Sequence, residues 1–220
     1  MLSYLKALPE DAGDGTPILV LLHGRGSDMT DLQGLRDHLP RRFAVITPRA
    51  PFPAPEWGYG PGLAWYRFLG EDRLDVDTLD TSVAELDAFL EGLTAELPFQ
   101  PGPVVMGGFS QGGTVSLTYA LRHPGRLMGA IDLSGFLPRE DVLGADAEGW
   151  TSTPIFWGHG LLDPAIPHSL AVLGRARLVE RGADLEVGDY PIGHTIDRDE
   201  MADLSNWLET LTEGRRDEGA

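Results

Sequence analysis

Cysteine is absent from this chain of 220 residues, and its absence excludes several kinds of chemistry. There are no disulfides, no thiolate nucleophile and no cysteine-ligated zinc or iron–sulfur centre. Long apolar runs are also absent, because no stretch approaches the length needed to span a bilayer. The first residues, MLSYLKALPED, lack the basic start and apolar run of a signal peptide. We therefore expect a cytoplasmic protein without stable membrane association.

Positively charged side chains are scarce. The sequence has 17 Lys and Arg against 34 Asp and Glu, and Lys6 is its only lysine. The formal net charge of -17 disfavours nucleic acid and anionic membranes as partners, since binding phosphate groups requires clustered basic residues. A well-solvated acidic surface explains this balance without any specific partner.

The length of the chain and its 42% hydrophobic residues allow one sizeable core. We expect a single domain over residues 1–213 and a flexible tail over residues 214–220. Apolar, β-branched runs bounded by turn residues predict six strands. They are Pro17–Leu22, Phe43–Thr47, Pro103–Gly107, Met128–Leu133, Pro154–Trp157 and Leu185–Tyr190. Several are apolar at consecutive positions, which is typical of parallel strands covered on both faces.

Segments with helical periodicity lie between and after these strands. The strongest is an apolar stripe from Val83 to Leu97, and Ser82 with Glu85 indicates a capping box just before it. A second stripe runs from Met201 to Leu211. Weaker helical signals cover Asp28–Leu39, Gln111–Arg122 and Ser169–Arg181. Strands alternating with helices predict a doubly wound α/β fold, with a mostly parallel central sheet and helices on both faces.

One segment, Pro48–Gly70, interrupts this alternation with the sequence PRAPFPAPEWGYGPGLAWYRFLG. Its prolines and glycines predict an irregular loop, yet it carries six aromatic side chains. Long ordered loops of this composition are often functional.

A single serine stands among glycines in GGFSQGG, where Gly108, Ser110 and Gly112 match the pattern G-x-S-x-G. The pattern alone is weak, but a predicted strand precedes it and a predicted helix follows it. That context is typical of a nucleophile elbow, in which a strained turn exposes the serine hydroxyl at the carboxyl edge of the sheet. The alternative is a glycine-rich turn that binds a phosphate or caps the helix.

A serine hydroxyl attacks a carbonyl poorly unless a base removes its proton, so the elbow requires a histidine. In such folds the chain order is nucleophile, acid, histidine. His23 and His38 come too early, and His123 lies at a helix end. His194, in PIGHT, follows the last predicted strand and precedes the last predicted helix. It is therefore the candidate base.

The acid is expected after the strand Pro154–Trp157, and Asp163 in WGHGLLDPAIP stands there. Its role would be to hold the imidazole in the tautomer that accepts the serine proton. An Asp before Pro164 also favours a turn, and both interpretations can hold together. Asp132, inside a strand, and Asp189, only five residues before the histidine, are weaker rivals.

A metal site is a further alternative, because His159 and His168 flank Asp163, so that His159, Asp163 and His194 are conceivable ligands. Their spacing matches no helical ligand pattern. His159 is more simply interpreted as a strand-end residue hydrogen-bonded to neighbouring backbone. We expect no metal and no cofactor.

Acyl transfer also requires hydrogen-bond donors for the oxyanion. One candidate is the backbone N–H of Gln111, the residue after the serine. The other is the backbone of the loop in LLHGRGSD, where Gly24 and Gly26 flank Arg25. The same sequence also fits a simple glycine-rich turn into a helix.

Five motifs follow one another in a fixed order along the chain. They are HGRG from His23, GGFSQGG from Gly107, LSGFLP from Leu133, GHGLLDPAIP from Gly158 and GH from Gly193. As an ordered set they resemble the phospholipase/carboxylesterase family of small α/β-hydrolases. This family includes bacterial carboxylesterases, acyl-protein thioesterases and lysophospholipases.

The resemblance implies an α/β-hydrolase fold without a large lid domain. It implies Ser110 as nucleophile with Asp163 and His194 as partners, and the backbone amides of Arg25 and Gln111 as oxyanion hole. The implied reaction is hydrolysis of carboxylic esters without a cofactor. We expect small-molecule esters with small or short-to-medium acyl groups as substrates, because the guanidinium of Arg25 would narrow or re-charge the acyl entrance. A homodimer is compatible with it.

We expect Trp65, Phe136 and Ile166 to line the acyl or alcohol pocket, although the loop aromatics would equally serve to pack the loop down. Three other functions remain open. They are a thioesterase or lysophospholipase acting on longer acyl chains, an acyltransferase using the same acyl-enzyme, and a non-catalytic ligand-binding protein on this fold.

Overall fold

The computed structural model describes residues 1–144 and 150–218, with side chains described up to residue 213. Its strands are β1 (Tyr4–Ala7), β2 (Ile18–Leu22), β3 (Ala44–Pro48), β4 (Phe52–Pro53), β5 (Leu63–Ala64), β6 (Phe68–Gly70), β7 (Arg73–Leu74), β8 (Val104–Phe109), β9 (Gly129–Leu133), β10 (Ile155–Gly160) and β11 (Leu185–Tyr190). Its α-helices are α1 (Val76–Glu96), α2 (Gln111–Arg122), α3 (Glu140–Leu143), α4 (His168–Glu180) and α5 (Arg198–Glu218).

In the described part of the chain, seven strands form one central sheet in the order β1-β3-β2-β8-β9-β10-β11. All neighbours are parallel except β1, which pairs antiparallel with β3. The mostly parallel sheet and all six predicted strands are therefore confirmed. The sequence pattern missed β1, an edge strand of only four residues.

Strand residues alternate between the two faces of the sheet, and each face has its own core. On β2, Ile18 and Val20 pack in one cluster, whereas Leu19 and Leu21 pack in the other. Helices α1, α2 and α4 cover the first face. Helix α5 and a 3-10 helix over Asp31–His38 cover the second. The predicted α/β-hydrolase architecture, with helices on both faces, is confirmed.

The predicted capping box at Ser82 and Glu85 is wrong. Helix α1 begins earlier, where the side chain of Asp75 accepts a hydrogen bond from the backbone N–H of Thr78 at 3.1 Å. Ser82 is buried inside the helix, and its hydroxyl donates to the carbonyl of Trp65. The apolar stripe located the helix, but it did not locate its first turn.

Two further segments differ from their predictions. The weak helical signal over Asp28–Leu39 folds as a 3-10 helix over Asp31–His38. The segment Pro48–Gly70 is not irregular throughout, because β4 and β5 pair antiparallel and a 3-10 turn, Ala54–Trp57, lies between them. No large lid domain is present in the described ranges.

No helix in residues 1–144 or 150–218 is both long and apolar enough to cross a membrane. The division into a domain over residues 1–213 and a flexible tail remains a prediction. Helix α5 extends to Glu218, and residues 219–220 of the predicted tail lie outside the described residues.

Candidate active site

Ser110 occupies a strained turn between β8 and α2. Its φ of 56° is positive, a conformation that side-chain-bearing residues rarely adopt and that costs roughly 1–3 kcal/mol. The backbone N–H of Ser110 donates to the carbonyl of Leu133 at 2.8 Å, which ties the turn to β9. The serine therefore stands at the carboxyl edge of the parallel strands.

The glycines around Ser110 are required by close backbone contacts. A Cβ on Gly108 would overlap the backbone of Gly112, and a Cβ on Gly112 would overlap the carbonyl group of Leu22. Helix α2 therefore approaches β2 and β8 more closely than any side chain would allow. This contact explains why the hydroxyl is surrounded by residues without side chains.

His194 lies in the segment after β11, at the same edge of the sheet. Its Nε2 is 3.0 Å from the Ser110 hydroxyl, and its Nδ1 is 2.6 Å from Oδ2 of Asp163. A carboxylate only accepts hydrogen bonds, so Nδ1 carries the imidazole proton and Nε2 accepts from the serine. The three residues predicted from chain order form one continuous hydrogen-bonded chain.

Asp163 is fixed by the turn that follows β10. Its Oδ1 accepts from the backbone N–H groups of Ala165 at 2.8 Å and Ile166 at 2.9 Å, which leaves Oδ2 for His194. The carboxylate is fully buried. Asp163 thus forms the predicted turn and orients the histidine at the same time.

The rival acids have other partners. Asp132 accepts from the backbone N–H of Gly135 at 2.7 Å. Asp189 accepts from Arg175 at 2.6 Å and pairs with His168 at 2.9 Å. Neither rival is hydrogen-bonded to His194.

His159 is buried next to Asp163, with its Nε2 3.7 Å from the carboxylate Oδ2. Burial lowers the pKa of His159, and its Nε2 donates to the carbonyl of Ile166 at 2.9 Å. The neutral imidazole therefore stabilises the loop that carries Asp163. The predicted hydrogen bond between His159 and neighbouring backbone is confirmed.

Arg25 and Gln111, the predicted oxyanion donors, both line the cleft that Ser110 also lines. Neither backbone N–H donates to another described residue. Gln111 is the first residue of α2, where an amide has no partner within the helix. Both amides are available to an oxyanion.

The side chain of Gln111 has a role that the sequence did not indicate. Its Oε1 accepts from the backbone N–H of Trp65 at 3.1 Å, and its Nε2 donates to the carbonyl of Tyr66 at 2.8 Å. The indole of Trp65 donates to the carbonyl of His23 at 2.9 Å. These bonds join the aromatic loop, the nucleophile helix and the glycine-rich loop after β2.

The cleft above Ser110 has a volume of about 180 Å³. Of the three predicted substrate contacts, only Ile166 lines it. Trp65 and Phe136 are almost fully buried behind its wall, because they pack in the core between the sheet and its helices. The cleft is lined by Gly24, Arg25, Ser27, Asp31, Tyr66, Phe68, Phe109, Ser110, Gln111, Ala165, Ile166 and His194.

Residues 7–212 match the family model described as Phospholipase/Carboxylesterase. The chain belongs to this family. It is 28% identical over 207 residues to acyl-protein thioesterase 1 of Kluyveromyces lactis, with 87% of this chain and 90% of the yeast protein covered. Its fold is similar to that of esterase PE8, at a TM-score of 0.81 and 30% identity over 96% of this chain and 99% of the esterase. Acyl-protein thioesterase 2 of Zea mays gives a TM-score of 0.79 at 25% identity, covering 96% and 99% of the two chains.

Membership of the phospholipase/carboxylesterase family makes this chain a hydrolase of carboxylic esters. The family match spans all five motifs, from the loop after β2 to His194. The resemblance inferred from those motifs is therefore confirmed.

Two buried carboxyl groups of this family member lie outside the hydrogen-bonded chain of Ser110. Oδ2 of Asp132 and both carboxyl oxygens of Glu200 have no hydrogen-bond partner among the described residues. Burial raises the pKa of each group to about 8. Both are therefore mainly protonated at neutral pH in the folded protein.

These raised pKa values predict a loss of stability as the pH rises. Between about pH 4 and pH 8 the unfolded chain releases protons that folded Asp132 and Glu200 keep, so the free energy of unfolding falls. The slope is at most about 1.4 kcal/mol per pH unit for each group. We expect Asp132→Asn and Glu200→Gln to gain stability over the native protein progressively from pH 5 to pH 8. Urea unfolding at several pH values measures this difference, and a difference independent of pH would contradict the assignment.

Proposed function

We propose that this hydrolase cleaves carboxylic esters of small or short-to-medium acyl groups through a Ser110–His194–Asp163 triad and an acyl-enzyme. The observation that carries the proposal is the continuous hydrogen-bonded chain from the serine hydroxyl to the buried carboxylate, at the floor of an open cleft. A histidine base whose tautomer is fixed by a carboxylate activates a hydroxyl nucleophile, and the strained turn exposes that hydroxyl.

In the proposed reaction, Nε2 of His194 takes the hydroxyl proton as Oγ of Ser110 bonds to the ester carbonyl carbon. The carbonyl electrons move to its oxygen, and the backbone N–H groups of Arg25 and Gln111 bind the oxyanion. The C–O bond to the alcohol then breaks, and the imidazolium returns its proton to the leaving oxygen. Water attacks the acyl-enzyme, gives a proton to His194, and the serine leaves as a hydroxyl after receiving that proton.

The preference for small acyl groups rests on the size of the cleft. Its volume of about 180 Å³ lies below the roughly 300–1,000 Å³ of drug-sized ligand pockets. Tyr66, Phe68 and Ile166 form apolar parts of its lining, which suit a short alkyl chain. The alternative is a thioesterase or lysophospholipase for long acyl chains. The relatives named acyl-protein thioesterases favour the thioesterase form of this alternative.

A chain-length panel tests this proposal. We expect kcat/KM for p-nitrophenyl acetate or butyrate to exceed that for the palmitate by roughly tenfold or more, because a long chain does not fit the cleft. Ser110→Ala supplies the background rate at each chain length. A kcat/KM that rises steadily to palmitate would contradict the preference and support the long-chain alternative. Product analysis with competing alcohols distinguishes hydrolysis from acyl transfer.

A cytoplasmic location and a homodimer remain predictions. The lack of a membrane-spanning helix in the described ranges is compatible with the first. Light scattering of the purified protein would measure the second.

A further inference from the structure

Among the described residues that line the cleft, Arg25 is the only arginine or lysine, and its side chain is exposed. Its guanidinium lies over the ring of Tyr59, 4.6 Å from the ring centre, and 5.7 Å from the centre of the Phe68 ring. Both distances lie within the range of cation–π attraction. The charge is therefore held at the wall of the cleft by two aromatic faces.

The aromatic platform under Arg25 is itself fixed. The hydroxyl of Tyr59 donates to the carbonyl of Phe68 at 3.0 Å and accepts from the backbone N–H of the same residue at 2.8 Å. The backbone N–H of Gly26 donates to the carbonyl of Leu63 at 2.8 Å, which ties the arginine loop to the same segment. A guanidinium on a rigid platform loses little freedom when it binds a ligand.

The N–H donors of this guanidinium have no hydrogen-bond acceptor in the part of the chain that the structure describes. An arginine carries five N–H donors, and none of those of Arg25 donates to a described residue. Arg25 forms no ion pair with any described carboxylate, although the chain carries a net charge of -17. Asp31 lines the same cleft and is its only acidic side chain within the described ranges, but it is not paired with Arg25.

We propose that Arg25 is a specificity-determining residue that selects esters carrying an anionic group, a carboxylate or phosphate, within reach of the scissile carbonyl. The inference rests on the proposed ester hydrolysis at Ser110. The backbone of Arg25 would bind the oxyanion while its side chain binds the substrate anion, so one residue would position both charges. Asp31 opposes this preference by its negative charge in the same cleft.

The test is the ratio of kcat/KM values for an anionic ester and its neutral counterpart, measured for each variant. On the acyl side the pair is mono-p-nitrophenyl glutarate and p-nitrophenyl pentanoate. On the alcohol side the pair is 4-(butyryloxy)benzoate and 4-methylphenyl butyrate. A disturbance of the oxyanion hole affects both members of a pair, so the ratio isolates the side-chain charge. The background with Ser110→Ala is subtracted in every case.

We expect Arg25→Met to lower the ratio roughly tenfold or more for at least one pair, the value typical of a lost charged hydrogen bond. Arg25→Lys, which keeps the charge, should keep most of the ratio. Asp31→Asn should raise the ratio. Added salt should lower the ratio in the native protein and in the variants that keep a positive charge at position 25, but not in Arg25→Met. Ratios unchanged in Arg25→Met for both pairs, with neutral esters still cleaved, would overturn the role of Arg25. Loss of all cleavage by the native protein would overturn the proposed function instead.

Discussion

Alanine at Ser110 or at His194 is expected to lower kcat/KM for p-nitrophenyl butyrate at least about 10,000-fold. Ser110→Ala removes the atom proposed to bond to the carbonyl carbon. His194→Ala removes the proposed base, which lies 3.0 Å from the Ser110 hydroxyl, and no other described side chain is hydrogen-bonded to that hydroxyl. Steady-state rates with the purified variants measure both losses.

A variant that carries both substitutions tests whether Ser110 and His194 act together. Residues that act as a unit are strongly non-additive, so Ser110→Ala with His194→Ala should be no slower than either single variant. His38→Ala is the matched control, since His38 lies at the end of the 3-10 helix over Asp31–His38 and outside the cleft lining. Losses that multiply in the double variant would mean that the two residues act independently, contrary to the hydrogen bond between them.

Asp163→Asn is expected to lower kcat roughly 10,000-fold while the protein stays folded. The amide oxygen of Asn keeps the place of Oδ1, which accepts from the backbone N–H groups of Ala165 and Ile166. The amide NH₂ must then face Nδ1 of His194 and donate to it. This forces the proton onto Nε2, which can no longer accept from Ser110.

Asp189→Asn is the matched control for this variant. Asp189 also contacts a histidine, His168, but its other partner is Arg175 and it does not contact His194. The Asp189→Asn variant should have a kcat within a few-fold of that of the native protein. Full activity of Asp163→Asn, or an equal loss in both variants, would remove Asp163 from the mechanism. Circular dichroism and urea unfolding show whether each variant is folded.

The features predicted well from the sequence are those defined by local signals. Helix α2 has the predicted bounds, Gln111–Arg122, because a glycine-rich turn precedes it and His123-Pro124-Gly125 ends it. Ser110, Asp163 and His194 lie together, as their positions after predicted strands indicated, because parallel strands bring their carboxyl ends to one edge of the sheet. Whether a residue directly follows a strand can be predicted from the local sequence, and that information was enough to predict that these residues lie together.

The features missed depend on long-range contacts. Trp65 was expected to line the substrate pocket, but its ring is buried in the core. There its indole N–H donates to the carbonyl of His23. The Ser82 hydroxyl is satisfied by the carbonyl of Trp65, so it caps nothing. The contact of Arg25 with Tyr59 joins two loops that the sequence separates by more than thirty residues. Composition and periodicity carry no information on such pairs.

Labelling by a fluorophosphonate, followed by the intact mass of the protein, tests most directly whether Ser110 is an activated nucleophile. The reagent is attacked by activated serines, so the native chain is expected to gain one phosphonyl group and Ser110→Ala none. The absence of labelling in folded native protein, or equal labelling of folded Ser110→Ala, would contradict the proposed mechanism.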